Sequence, residues 1–100
     1  MRVQFRKPKL KKQYEDFREA KKAYGEQVGR RYIQRINIIK CAKDIEELRR
    51  LPGLRCHELT GDRRGEWSIA LVGRYRLIFT LVGDNLEIVN IEEVSKHYGD

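Results

Sequence analysis

The chain contains no apolar run near the roughly 20 residues needed to cross a bilayer, and its Lys- and Arg-laden N-terminus is followed by no apolar signal-peptide core. A cytoplasmic protein without a membrane partner is the expectation. Cysteine is scarce: Cys41 and Cys56 lack CxxC spacing, which speaks against a redox pair or a disulfide framework and leaves two reduced packing thiols. A nucleotide-binding glycine loop, a paired metal-ligand spacing and a nucleophile elbow are also missing, so three enzyme classes lose support. Cys56 and His57 are neighbours on an expected strand and should point to opposite faces, which disfavours a shared metal ion. No cofactor and no metal are expected.

What the chain does have is charge. Its 100 residues, expected to form a single domain over residues 1–100, are 37% charged and 40% hydrophobic, with a formal net charge of +7. Residues 1–50 hold 16 Lys and Arg against 7 Asp and Glu, whereas residues 51–100 hold 6 against 8. A cationic first half draws phosphate backbones by counterion release, and it would equally serve an acidic protein partner.

The hydrophobic pattern changes period once along the chain. Val3 and Phe5 alternate in a short strand, which Lys7-Pro8 ends because proline lacks an amide donor yet suits a helix's first turn. From Leu10 the apolar positions Tyr14, Phe17 and Tyr24 follow a helical stripe that stops at Gly25. A second helix over residues 26–42 buries Val28, Tyr32, Ile36 and Ile39 and leaves Arg30, Arg31, Arg35 and Lys40 outside the stripe. The two should form a hairpin. Asp44 and Glu47 have capping-box spacing for a short third helix that Pro52-Gly53 terminates.

Beyond Pro52 apolar and polar residues alternate, which predicts strands over 54–59, 67–71, 75–81 and 86–91, with turns at 60–65, Gly73 and Gly83-Asp84-Asn85 and a polar tail from Glu92. The fold class is therefore α+β, an N-terminal helical hairpin packed on one face of a small, mainly antiparallel sheet whose other face is open. That face is the natural place for a site.

The residues available for chemistry are cationic and titratable: Arg55, His57, Arg63, Arg64, Arg74, Arg76, Lys96 and His97. Together they suit phosphodiester cleavage. A ribonuclease that uses the RNA 2′-hydroxyl as internal nucleophile needs a base, an acid for the departing oxygen and cations for the charge on phosphorus, and needs no metal. Arg76 stands in the middle of an apolar strand, where a guanidinium must reach the open face or find an ion-pair partner. His57 is equally suited to catalysis or to a local structural hydrogen bond. Arg63 and Arg64 lie on a Gly-flanked loop, as solvated turn charges or as RNA contacts. Trp67 and Tyr75 fit the core better than base stacking, while Tyr98 is freer to stack on a base.

The stretch from Leu51 to Phe79 carries a resemblance. Leu51-Pro52-Gly53, then His57-Glu58-Leu59-Thr60-Gly61-Asp62-Arg63-Arg64-Gly65-Glu66-Trp67-Ser68-Ile69, then Tyr75-Arg76-Leu77-Ile78-Phe79, in that order and spacing, resemble the HigB-like branch of the RelE/ParE toxin superfamily. The N-terminal half matches it by architecture only. The resemblance implies a RelE-like fold and the toxin of a type II toxin–antitoxin pair, a ribosome-dependent endoribonuclease cutting messenger RNA and held inactive by a helix-turn-helix (HigA-like) antitoxin. It also implies a histidine at the position of His57 and, at that of Arg76, an arginine suited to the scissile phosphate; the leading reading of the residues adds that His57 and His97 share acid and base work and that Arg63, Arg64, Arg74, Lys96 and Tyr98 contact RNA. Two positions depart from the pattern: Thr60 stands where the family carries a lysine, and Val94-Ser95 where a Tyr-His pair is usual, with Lys96-His97-Tyr98 two residues further on. A ParE-like toxin of DNA gyrase, which cuts nothing, and an RNA-binding module without toxicity remain the alternatives.

Overall fold

A computed structural model describes residues 1–96. Strand β1 (Arg2–Phe5) gives way at Lys7 to helix α1 (Pro8–Glu15), with the proline in its first turn as expected. The expected continuous helix over 10–24 is interrupted at Asp16, so α2 (Phe17–Tyr24) is a separate element. Asp16 is extended (φ −135°, ψ 108°), and its carboxylate accepts from the Arg18 backbone amide at 3.0 Å. Aspartate gains more as a cap than inside a helix, where its side chain competes with the backbone. The Arg18 side chain closes on the same carboxylate at 3.1 Å and holds its pKa below the usual range.

Gly25, at φ +87°, ends α2 and opens α3 (Glu26–Cys41). Gly29 lets the two helices touch: a Cβ there would lie 3.1 Å from the backbone of Ala20 and Lys21. Tyr32, fully buried, donates its hydroxyl to the Leu10 carbonyl at 2.7 Å, tying α3 to α1. Helix α4 (Ile45–Arg50) begins on the expected cap, with the Glu47 amide 2.9 Å from Asp44 Oδ1. The Glu47 carboxylate reaches the Lys43 amide at 3.2 Å instead of the amide of the cap residue itself.

The remaining strands are β2 (His57–Glu58), β3 (Glu66–Ala70), β4 (Tyr75–Val82) and β5 (Ile88–Lys96), in the order β1-β5-β4-β3-β2. All neighbours are antiparallel except β1 and β5, which run parallel. Two expected strands change length. Residues 54–59 run beside β3, the Leu54 carbonyl taking the Ala70 amide and the Leu59 amide reaching Glu66, yet only His57–Glu58 is regular strand. The cause is Arg55, whose φ of +53° breaks the extended backbone. The last strand, by contrast, runs on through the polar residues 92–96 because β4 supplies a backbone partner for each of them but the bulged Glu92.

The helices cover one face of the sheet. Trp67, Ile69, Leu77, Phe79, Val89 and Ile91 meet Leu10, Val28, Tyr32, Ile36, Ile39 and Leu48 there, and Trp67 and Phe79 stack at 6.4 Å. Arg35, expected outside the buried stripe of α3, belongs to the interior. Its Nε donates to the Ala70 carbonyl at 3.1 Å and Nη2 reaches the Gly53 carbonyl at 3.5 Å, while Arg31 reaches the Leu71 carbonyl at 3.3 Å. Burial pulls the Arg35 pKa down, and fixed carbonyl dipoles offset part of that penalty. Cys56 is the buried packing thiol anticipated, but Cys41 is exposed.

Candidate active site

Residues directly opposite each other on antiparallel strands share a face. His57 opposes Ser68, Arg76 opposes both Ala70 and Ser95, and Ile78 opposes both Ser68 and Glu93. These seven residues therefore line the face turned away from the helices. His57 and Arg76 flank β3, roughly two strand spacings apart (about 10 Å) and about 7 Å apart along the strands. Both side chains are long enough to converge on one phosphodiester group.

His57 is half-buried, and its Nδ1 lies 2.9 Å from the Arg55 carbonyl oxygen. A carbonyl can only accept, so Nδ1 carries a proton, and in a neutral ring that tautomer leaves the lone pair on Nε2. The left-handed backbone at Arg55, which shortened β2, is thus also what aims the carbonyl that fixes this tautomer. Sequence pattern left catalysis and structural bonding as alternatives for His57. The Nδ1 contact fulfils the structural alternative and leaves Nε2 outside it.

The centre of this face is not open, contrary to expectation. Ser68 and Ile78 are fully buried and Arg76 is 7% exposed. Arg63, from the 3-10 turn Gly61–Arg63, lies over part of it: Nη2 is 2.8 Å from Glu66 Oε1 and 3.4 Å from Glu93 Oε2. Those carboxylates stand on β3 and β5, on either side of β4, so the guanidinium crosses β4 near Ile78 and Thr80. Further along the same face, Glu92 accepts from Thr80 Oγ1 at 2.8 Å and Asn90 Nδ2 at 2.7 Å and pairs with Arg6 at 3.5 Å.

The other nominated residues are spread more widely. Arg64 is exposed where the 3-10 turn ends, beside a shallow hollow lined by Glu58, Leu59, Thr60 and Gly61. Arg74 is exposed in the turn between β3 and β4. Lys96 opposes Tyr75 and so belongs to the other face, its ammonium 5.6 Å from the Tyr75 ring centre. His97 and Tyr98 lie outside the described residues. Glu66, Ser68 and Glu93 were not among the residues the sequence pattern nominated. Glu66 could have been found from its alternation with Ser68, and Glu93 only by continuing the last strand into the polar tail.

A family model described as the RelE-like toxin of the type II toxin–antitoxin system HigB matches residues 3–97. The chain belongs to this family. A curated relative, "Endoribonuclease HigB" of Proteus vulgaris, is 35% identical over 63 residues, spanning 63% of this chain and 67% of the relative. Among solved structures, a YoeB/ParE toxin from Agrobacterium tumefaciens superposes with a TM-score of 0.57 at 18% identity, over 98% of this chain and 100% of that one. The YoeB-YefM complex from Staphylococcus aureus gives 0.53 at 18% identity over 98% of both chains. These two likenesses establish the RelE-like fold. As a type II toxin the protein is paired with an antitoxin. No helix among the described residues is long and apolar enough to cross a membrane.

Proposed function

We propose that this toxin is an endoribonuclease that cuts messenger RNA on the cytoplasmic ribosome by acid–base chemistry on the RNA's own 2′-hydroxyl. The carrying observation is the placement of His57, with Nε2 free of the Arg55 contact, and Arg76 on one face of the sheet astride β3. The activity named for the Proteus vulgaris relative supports the same reading. Arg76 binds the scissile phosphate and neutralises the charge that builds on it. His57 and His97 share the roles of base and acid. Arg64, Arg74 and Tyr98 contact the flanking RNA, whereas Lys96, on the other face, does not. Arg63 contacts it by exchanging a carboxylate for a phosphate. The antitoxin is of the helix-turn-helix type.

The test is a purified translation system in which messenger RNA ends are mapped after adding wild type, Arg76→Ala, His57→Ala or His97→Ala. Wild type is expected to cut, and Arg76→Ala and His57→Ala to cut at least 100-fold more slowly. Equal cutting by Arg76→Ala removes the central assignment. Normal cutting by His97→Ala removes the tail from the chemistry, and intact message combined with lost supercoiling by gyrase points to the non-nuclease alternative.

A further inference from the structure

Helix α3 has two apolar faces, and the core uses one of them. Val28, Tyr32, Ile36 and Ile39 are buried against the rest of the molecule. Ile33, Ile38 and Cys41 recur at helical spacing on a neighbouring face and keep partial or full exposure. With Phe17 of α2 and with Ala42 and Leu51 on either side of α4, they line a groove of about 630 Å³. Leu51 remains 37% exposed, one of two large apolar side chains so placed among the described residues. None of the site residues lines this groove.

Three observations select its occupant. The backbone bordering the groove is largely helical, so a docking segment obtains no sheet-edge hydrogen bonds and must satisfy its own backbone as a helix. The three helices that frame it carry nine Lys and Arg against four Glu, which favours an acidic partner and repels a second copy of this chain. The lining itself is poor in groups for a phosphate: Arg30 is paired with Glu26 at 3.5 Å and sits 4.5 Å above the Phe17 ring. Glu47 is a further lining residue.

We propose that this groove seats an acidic amphipathic helix of the antitoxin, its apolar side chains meeting Ile33, Ile38 and Leu51 and its carboxylates meeting the surrounding Lys and Arg. The assignment rests on the chain's place as the toxin of a toxin–antitoxin pair. It makes the helical layer the protein-binding side of the molecule, with the sheet lying between it and the face that carries His57 and Arg76.

The test reads affinity and footprint separately from cleavage. Antitoxin is titrated calorimetrically into wild type, Leu51→Glu and the pair Leu51→Glu with Ile38→Glu. The double variant is expected to bind at least 100-fold more weakly while the free toxin's cutting of message is unchanged. Because Ile38 is partly packed on the core, the second measurement uses unaltered protein: antitoxin should slow maleimide labelling of the exposed Cys41 at least tenfold, with the buried Cys56 protected throughout as internal reference. Unchanged affinity in the double variant, or unchanged Cys41 labelling in the complex, overturns the assignment. So does equal Cys41 protection by toxin alone at matched concentration, which would assign the groove to a second copy. A toxin that binds normally but fails to cut message sinks the ribonuclease reading and leaves this one standing.

Discussion

The helical layer and the far face of the sheet use positive charge in opposite ways. The first 50 residues, mostly helical, hold 16 Lys and Arg against 7 acids, and most of these side chains stand in solvent. The sheet half holds 6 against 8, yet it owns the arginine and histidine suited to phosphodiester chemistry. Exposed cations act at range, speed encounter and fade with salt. A guanidinium that is 7% exposed acts only where it is held, but there the low dielectric strengthens it. Net charge therefore bears on encounter with an anionic partner, and local geometry on where a phosphate could be held.

The largest expected difference between the regions is in catalysis. Arg76→Ala should lower message cleavage by roughly 100- to 1000-fold at any salt concentration. Neutralising Lys11, Lys12 and Lys21 together should slow it only several-fold and flatten its salt dependence. Equal losses from the two would abolish the division of labour. Arg35→Ala asks whether a helical arginine can instead matter for folding: it removes the donor to the Ala70 and Gly53 carbonyls and should cost about 2–3 kcal/mol in a denaturant titration. Gly29→Ala, which pushes a methyl against the α2 backbone, should cost roughly 1–3 kcal/mol by the same measurement.

A smaller effect separates the buried thiol from the exposed one. Burial raises the Cys56 pKa from 9.0 to about 11. The unfolded chain therefore loses this proton first, and the stability it confers is complete below pH 9 and lost as pH rises towards 11. The thermal midpoint should fall across that window, less steeply in Cys56→Ala, while Cys41→Ala follows wild type. Smallest is Arg63→Ala. Its ion pairs are one-third to one-half exposed, so it should change stability by no more than about 1 kcal/mol, an amount that shrinks in high salt.

Much of this was legible in the sequence, and the failures have physical causes. Periodicity located Tyr32, Ile36 and Ile39 in the core and Trp67, Ile69, Leu77 and Phe79 on one strand face, because burial in a packed layer imposes a period. It missed the break at Asp16, where a local cap overrode an unbroken apolar stripe. It stopped the last strand too early because residues 92–96 are held by backbone pairing with β4, which needs no apolar alternation. That error hid Glu93. The second face of α3 went unread for another reason: a stripe that waits for a partner looks, in sequence, like imperfect amphipathicity. Arg76 stood out as a charge in an apolar strand, but its burial depends on neighbours from other strands that no local pattern reveals.

The parallel pairing of β1 with β5 bears on how this molecule comes into being. Arg2 meets Ile88 and Phe5 meets Ile91, so one edge of the sheet joins residues some 86 positions apart. Contacts of such separation form late, after most of the loop entropy has been lost. During synthesis the helices and the β3–β4 hairpin can gather first, but Arg76 lacks the strand on its other side until residues 88–96 have been made. A nascent chain that stops short of residue 88 thus carries Arg76 on an unfinished sheet. The sheet closes around Arg76 only once residues 88–96 have paired with β4 on one side and β1 on the other.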